Sequence, residues 1–180
     1  MIAVVMGAAL VTGCSSDSKD EPKKAAATQP ATTSAAPAPS ATPAKVALST
    51  LSVGQSSTYA TESGTTMRVT VKGVRYVQPS EIDTTNKPEK GQFAVLTLTV
   101  ANVGKAPAHF APYGVMKWQD AQTAAQNATT LETVGGQDVD ADYAPGQSVT
   151  GGIVLDVVRK GGTVTYYEGL KPAFAVALPK

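Results

Sequence analysis

The strongest pattern in the chain is an alternation of apolar and small polar residues in two segments. The segment 93–103 reads FAVLTLTVANV, and the segment 148–158 reads SVTGGIVLDVV. β-Branched and large apolar residues that alternate with Thr or Ser are typical of strands with one buried face. We therefore predict two central strands. In the first of them Leu96, Leu98 and Val100 share the face that points to the core.

Weaker alternation surrounds these two segments. The segment 66–72 reads TMRVTVK, and Gly73 then shifts the phase before 74–77 continues the pattern, which predicts a β-bulge or a bend. The polar segment 78–91 contains two Pro residues and is predicted to be an exposed loop. The next strand is predicted over Tyr113–Gln119.

The C-terminal part of the chain also alternates between loop segments and short strands. Residues 120–137 are rich in Ala, Gln and Thr and are predicted to form a long loop with at most one helical turn. Two further strands, 163–167 and 172–178, close the domain. About seven short strands without long helices between them predict an all-β fold in which two antiparallel sheets pack face to face. Trp118 is predicted at the centre of the core.

The N-terminal residues have a different composition. The apolar run Ile2–Leu10 is too short to span a membrane and is typical of a signal peptide, here residues 1–13. Thr12 and Gly13 precede the only cysteine, Cys14, in a pattern that resembles a bacterial lipobox. By that resemblance Cys14 is the lipid-modified first residue of the mature protein. A chance cysteine after an ordinary signal peptide is the open alternative. No Lys or Arg precedes the apolar run, which departs from the lipoprotein pattern and indicates a start site assigned too far downstream.

The segment 14–47 is dominated by Ala, Pro, Ser and Thr and has little to bury, so it is predicted to be a disordered tether. The folded domain is then predicted over residues 48–180. A formal net charge of +1 on the whole chain argues against a nucleic-acid partner, which requires a basic face. The single cysteine means that packing alone must stabilise the domain, which we expect to be a monomer.

Candidate chemistry is sparse. The only histidine, His109, lies in a loop without a nearby G-x-S-x-G motif, so no hydrolase triad is predicted and the protein is not expected to be an enzyme. Asp138, Asp140 and Asp142 alternate and would face one side of an extended chain, where their oxygens could attract Ca²⁺. The alternative is a solvated acidic edge that prevents strand pairing. His109 with Met116 is a second possible metal pair, for copper.

The order of motifs resembles a known family. A lipobox and a tether precede Val53-Gly54-Gln55, the segment 91–104 with its strand followed by Asn-Val-Gly, and the segment 144–151, which reads APGQSVTG. Over about residues 50–180 the chain is similar to lipoproteins with the domain of unknown function numbered 4352. The resemblance implies an immunoglobulin-like β-sandwich, related to telokin-like and mycobacterial immunoprotective-antigen folds, on the outside of a Gram-positive cell. It supplies no catalytic or cofactor-binding residues.

Two hypotheses for function follow. The first is a non-catalytic interaction module, attached through lipid on Cys14 to the outer face of the cell membrane, that binds a cell-envelope protein or a cell-wall polymer. Apolar residues exposed on an outer sheet face, such as Val95 or Val154, would favour it. The second is a lipoprotein that binds a metal or small ligand through the Asp138–Asp142 loop. Carboxylates that converge on a cavity would favour this second hypothesis.

Overall fold

The alternating segment that dominates the sequence forms the long strand Gln92–Asn102 in the computed structural model, which describes residues 48–180. The predicted signal peptide (1–13), Cys14 and the rest of the predicted tether (15–47) lie outside the described residues. The described residues contain eleven strands and one short 3-10 helix, Pro79–Ile82. The strands are β1 Thr50–Leu51, β2 Ser56–Ala60, β3 Thr66–Val77, β4 Gln92–Asn102, β5 Ala108–Phe110, β6 Lys117–Gln119, β7 Gln126–Asn127, β8 Ala141–Tyr143, β9 Ser148–Val157, β10 Thr163–Glu168 and β11 Lys171–Ala177.

The strands build two sheets and a short ribbon. One sheet has the order β1-β11-β10-β6-β7, the other has the order β2-β3-β4-β9, and β5 pairs with β8. Neighbouring strands are antiparallel except for β1, which runs parallel to β11. The predicted all-β sandwich is confirmed, although five of the strands have only two or three residues and carried no clear alternation. Within residues 48–180 no helix has the length and hydropathy needed to cross a membrane.

The core lies between the two sheets. Leu96, Leu98 and Val100 are fully buried, as their alternation predicts, whereas Thr97 on the other face of β4 is half-buried. Trp118 is also buried, and its indole N–H donates a hydrogen bond of 2.9 Å to the carbonyl of Gly161. The predicted central position of Trp118 is thus confirmed. A buried indole N–H needs an acceptor. Since the acceptor here belongs to the turn after β9, the hydrogen bond also holds that turn in place.

The predicted bulge in β3 is confirmed. The pairing of β3 with β4 changes register between Val71 and Gly73. Val71 is fully buried, and after the bulge Val74 and Tyr76 pack against the same core. The extra residue therefore keeps the apolar side chains of a twelve-residue strand on the inner face.

The outer face of the β4–β9 pair is not open. Val95 and Val154 are buried in a second, smaller cluster, in which Ile82 of the 3-10 helix also takes part. Val134 packs on this cluster, close to Gly152, which leaves the space for it. The segment 78–91 is therefore not the wholly exposed loop that its polarity predicted. Apolar residues on this face do not form the exposed surface that would have favoured an interaction module.

Two further differences concern the segment between β5 and β8. The predicted strand Tyr113–Gln119 is present only over Lys117–Gln119, since Gly114 adopts a φ of 79° in a turn. The predicted loop 120–137 contains the two-residue strand β7, and Thr129 forms a bridge with Leu155. The loop thus covers the free edge of β9, a role that its polar composition did not indicate.

Candidate functional site: an acidic pole

Four carboxylates gather at one end of the sandwich, where β2, β4 and β10 end and β3, β9 and β11 begin. We call this group, Glu62, Asp140, Asp142 and Glu168, the acidic pole. Glu62 lies in the β2–β3 loop and Glu168 ends β10. The Glu62 backbone N–H donates to Oε1 of Glu168 over 3.1 Å, which joins two loops that are 106 residues apart in sequence. Glu168 Oε2 accepts from the hydroxyl of Tyr166 over 2.9 Å, so both oxygens are held in place.

The β5–β8 ribbon supplies the other half of the acidic pole. Its register places His109 directly opposite Asp142. His109 Nδ1 lies 3.1 Å from Asp142 Oδ1, and Nε2 lies 3.2 Å from Asp140 Oδ1. A neutral imidazole can donate a hydrogen bond from only one nitrogen, whereas the imidazolium ion donates from both. The two carboxylates thus hold the ring of His109 through both of its nitrogens.

The acidic triplet of the sequence is divided by the structure. Asp140 and Asp142 both reach His109, as alternate residues of an extended segment should. Asp138 does not; its Oδ1 accepts a 2.9 Å bond from the backbone N–H of Asp140 and so stabilises the preceding turn. Met116, the second residue of the hypothetical copper pair, is fully buried in the core. No group of three His, Cys, Asp or Glu side chains within residues 48–180 is arranged to hold a metal ion.

Two cavities open at the acidic pole on either side of Glu62 and Glu168. The smaller, of about 370 Å³, is lined by these two carboxylates and by His109 and Asp142. The larger, of about 560 Å³, lies between the end of β2 and the start of β11. Carboxylates from three separate segments thus converge on a concave surface. This is the arrangement that would favour ligand binding at the acidic residues.

Sequence reasoning identified the ribbon half of this site but missed Glu62 and Glu168. Each is a single acidic residue in a turn, and neither lies near His109 or Asp142 in the sequence. Their convergence depends on the pairing of β10 with β11 and on the position of the β2–β3 loop. No local signal could have indicated it.

Tyr143 follows Asp142 and ends β8. Its side chain is buried, and its hydroxyl donates a 2.8 Å hydrogen bond to the carbonyl of Val139. Burial raises the pKa of the Tyr143 hydroxyl to about 12, and the negative charges of Asp138 and Asp140 add to the shift. The folded domain therefore holds this proton more tightly than the unfolded chain, in which the pKa of tyrosine is about 10.

We expect this shift to reduce stability at alkaline pH. The contribution is complete below pH ~10, where Tyr143 is protonated in both states, and it is lost as the pH rises from ~10 towards 12. In that window Tyr143 alone should lower the free energy of unfolding by about 1.4 kcal/mol per pH unit. Urea denaturation at several pH values between 8 and 11.5 measures the slope. In Tyr143→Phe the slope should be smaller by that amount, and an unchanged slope would contradict the assignment.

Comparison with known proteins agrees with this architecture. The secreted protein MPT63 of Mycobacterium tuberculosis superposes with a TM-score of 0.54 at 18% identity, over 72% of this chain and 98% of that one. The yjhA protein of Bacillus subtilis gives a TM-score of 0.49 at 16% identity, over 71% of this chain and 98% of that one. The likeness to MPT63 confirms the immunoglobulin-like fold. No curated protein matches the chain in sequence.

A family model covers most of the folded domain. The model described as domain of unknown function DUF4352 matches residues 53–167. The matched range begins just after β1 and ends in β10, so it includes the two long central strands. It also includes three of the four carboxylates of the acidic pole; Glu168 lies one residue beyond it. On this evidence the chain belongs to the DUF4352 family.

Proposed function

We propose that the protein is a lipoprotein, anchored by lipid on Cys14 to the outer face of the cell membrane, that displays a non-catalytic interaction module. The contact surface is the acidic pole, and the partner is a cell-envelope protein or a cell-wall polymer. The observation that carries the proposal is the convergence of Glu62, Asp142 and Glu168 around two cavities at one end of a rigid sandwich. The outer face of the β4–β9 pair, by contrast, is partly covered by the protein's own loops.

The arrangement of His109 supports a binding role over a catalytic one. A general base must reach the hydroxyl or thiol that it activates. Both ring nitrogens of His109 instead face carboxylate oxygens, at 3.1 and 3.2 Å. The imidazole thus forms part of a charged surface, in which it fixes the positions of Asp140 and Asp142.

The anchor is tested at Cys14. We expect Cys14→Ser to abolish lipid attachment, because the thiol is the group that is acylated, and to leave the protein unprocessed at the membrane or released into the medium. Detergent phase partitioning and intact mass of protein from the native host measure the change. A Cys14→Ser protein that still partitions and migrates as the lipidated form would overturn the lipobox assignment.

The contact surface is tested with matched charge changes at the two ends of the sandwich. Glu62→Gln with Glu168→Gln removes two charges from the acidic pole, and the amide oxygen introduced at position 168 still accepts one of the two hydrogen bonds that Glu168 receives. Glu89→Gln with Glu132→Gln removes two charges at the opposite end. We expect only the first pair to reduce retention of the soluble protein on washed cell-envelope fractions. Equal retention of both double variants would exclude the acidic pole as the contact surface.

The smaller cavity favours a second candidate function, binding of a cation. His109, Asp142, Glu62 and Glu168 line its 370 Å³, although they do not meet at one point as they stand. Thermal unfolding with EDTA, Ca²⁺ or Cu²⁺ tests this candidate. An ion that binds only the folded state and is present at 100 times its dissociation constant adds about 2.7 kcal/mol to the free energy of unfolding. This raises the midpoint of thermal unfolding by several degrees. A rise that Asp142→Asn removes would support cation binding; identical midpoints in all three solutions would reject it.

A further inference from the structure

The larger cavity contains a polar group that the fold leaves without a partner. Tyr59 lines this cavity, its side chain is only 8% exposed, and its hydroxyl is a buried side-chain polar atom with no hydrogen-bond partner among the described residues. Its ring is held in place, because it packs against the rings of Tyr166 and Phe174 with centroid separations of 5.7 and 5.8 Å. An unsatisfied buried hydroxyl destabilises the free protein, so a ligand that supplies its hydrogen-bond partner binds more tightly.

The charges around the Tyr59 hydroxyl indicate the sign of that ligand. Burial raises the pKa of Tyr59, and the nearby Glu168 carboxylate contributes to the shift, so the two groups are within electrostatic reach. Glu62 and Glu168 form the wall that the two cavities share. Asp142 adds a third carboxylate on the side of the smaller cavity, which His109 also lines. Among residues 48–180, Lys171 is the only Lys or Arg that lines either cavity. The surface therefore complements a cation.

The larger cavity also has an apolar side. Leu170, at the tip of the β10–β11 hairpin, is 97% exposed, and Pro172 and Ala173 continue the wall beside it. A leucine that is almost wholly exposed next to a cavity gains free energy when another apolar side chain covers it. The cavity lies along the start of β11, so an extended chain laid beside it would present successive side chains to the apolar and the acidic walls alternately.

From these features we propose that the partner's binding element is an extended basic segment of a protein, in which Lys or Arg alternates with an apolar residue. The cationic side chain binds between Glu62, Asp142 and Glu168, and the apolar side chain packs on Leu170 and Pro172. A polar group of the segment pairs with the hydroxyl of Tyr59 once the side chains that cover this buried atom move aside. This inference rests on the proposed function, because it names the chemistry of the partner that the acidic pole binds.

A defined peptide tests the proposal. The probe is a fluorescent, N-acetylated and C-amidated heptapeptide with Lys at odd and Val at even positions; its control has Glu in place of every Lys. Anisotropy titrations use the chain from Cys14 onward with Cys14→Ser. We expect saturable binding of the Lys–Val peptide only, weakened on the order of fivefold by each of Glu62→Gln and Glu168→Gln, since partly exposed ion pairs contribute up to about 1 kcal/mol.

Two further variants separate a specific site from general charge attraction. Leu170→Ser should weaken the Lys–Val peptide but not a Lys–Ser peptide, and Glu89→Gln with Glu132→Gln should change neither. Equal weakening by the variants at both ends, or equal binding of the Glu–Val peptide, overturns the proposal. Tighter peptide binding by Lys45→Ala would show that the chain's own Lys45 occupies the site, and would overturn the assignment to a partner.

The outcome is distinguishable from failure of the proposed function. If envelope retention depends on Glu62 and Glu168 but the Lys–Val peptide does not bind, the acidic pole is the contact surface and the basic-segment inference is wrong. If neither the envelope fraction nor the peptide distinguishes the pole variants from the control variants, both proposals fail.

Discussion

Leu98→Ala is expected to lower the free energy of unfolding by about 2–5 kcal/mol, the range found when a buried leucine leaves a cavity. Leu98 is fully buried on the inner face of β4 and lies opposite Val71 of β3 and Gly151 of β9. Gly151 has no side chain that could move into the space. Its position is also fixed, because the Gln137 carbonyl lies against it. The surroundings can therefore relax little, which places the loss towards the upper end.

Urea denaturation at pH 7 measures this loss. Thr97→Ala is the matched control, since Thr97 is the adjacent residue of the same strand and points to the half-exposed outer face. We expect the control to change stability by no more than about 0.5 kcal/mol. A loss below ~1 kcal/mol for Leu98→Ala would contradict the position of Leu98 in the core.

Asp156→Ala should cost about 3 kcal/mol, the second large effect. Asp156 is 2% exposed and accepts hydrogen bonds from two successive backbone N–H groups, from Glu89 at 2.7 Å and from Lys90 at 3.1 Å. Hydrogen bonds to a charged group contribute roughly 1.5–3 kcal/mol, and both N–H groups would lose their acceptor. These bonds attach the end of the long β3–β4 loop to β9. The loop in turn brings Ile82 over Val95 and Val154.

The side chain of Glu89 provides the control for Asp156. It is an exposed carboxylate on the same loop, and Glu89→Ala leaves its backbone N–H in place. We expect this substitution to change stability by less than about 0.5 kcal/mol, and Asp156→Asn to cost less than Asp156→Ala, because the amide oxygen still accepts one bond. Similar losses for Glu89→Ala and Asp156→Ala would mean that the loop's charge, not its hydrogen bonds, stabilises the domain.

The examples of Leu98 and Asp156 show which part of the molecule the sequence can predict. Leu98 lies in a strand whose period-two pattern is determined locally, so its burial follows from its neighbours in the chain. Asp156 interrupts an apolar run and would be read as an outward-facing residue. Its burial depends on a loop more than sixty residues away in sequence. No local pattern contains that information.

The same distinction applies to the candidate site. Asp140 and Asp142 were found because alternation in an extended segment places them on one side, and the β5–β8 register then adds His109. Glu62 and Glu168 became part of the site only through tertiary contact. The short strands β1, β5, β7 and β8 were missed, and β6 was predicted too long, for a related reason. Two or three residues cannot display a period, and their partners in the sheets determine them.

The parallel pairing of β1 with β11 has a mechanical consequence for an anchored protein. Two residues, Thr50 and Leu51, form this pairing, and only Leu51 is buried. β1 pairs with Ala175 and Val176, near the C-terminal end of β11, whereas the acidic pole lies at the other end, where β11 begins. Tension between an anchor and a partner bound at the acidic pole would act first on this two-residue pairing, because it is the first part of the fold that the chain reaches. Release of residues 50–55 would add about 20 Å of extended chain, at ~3.3 Å per residue, while the core between the long strands stays intact.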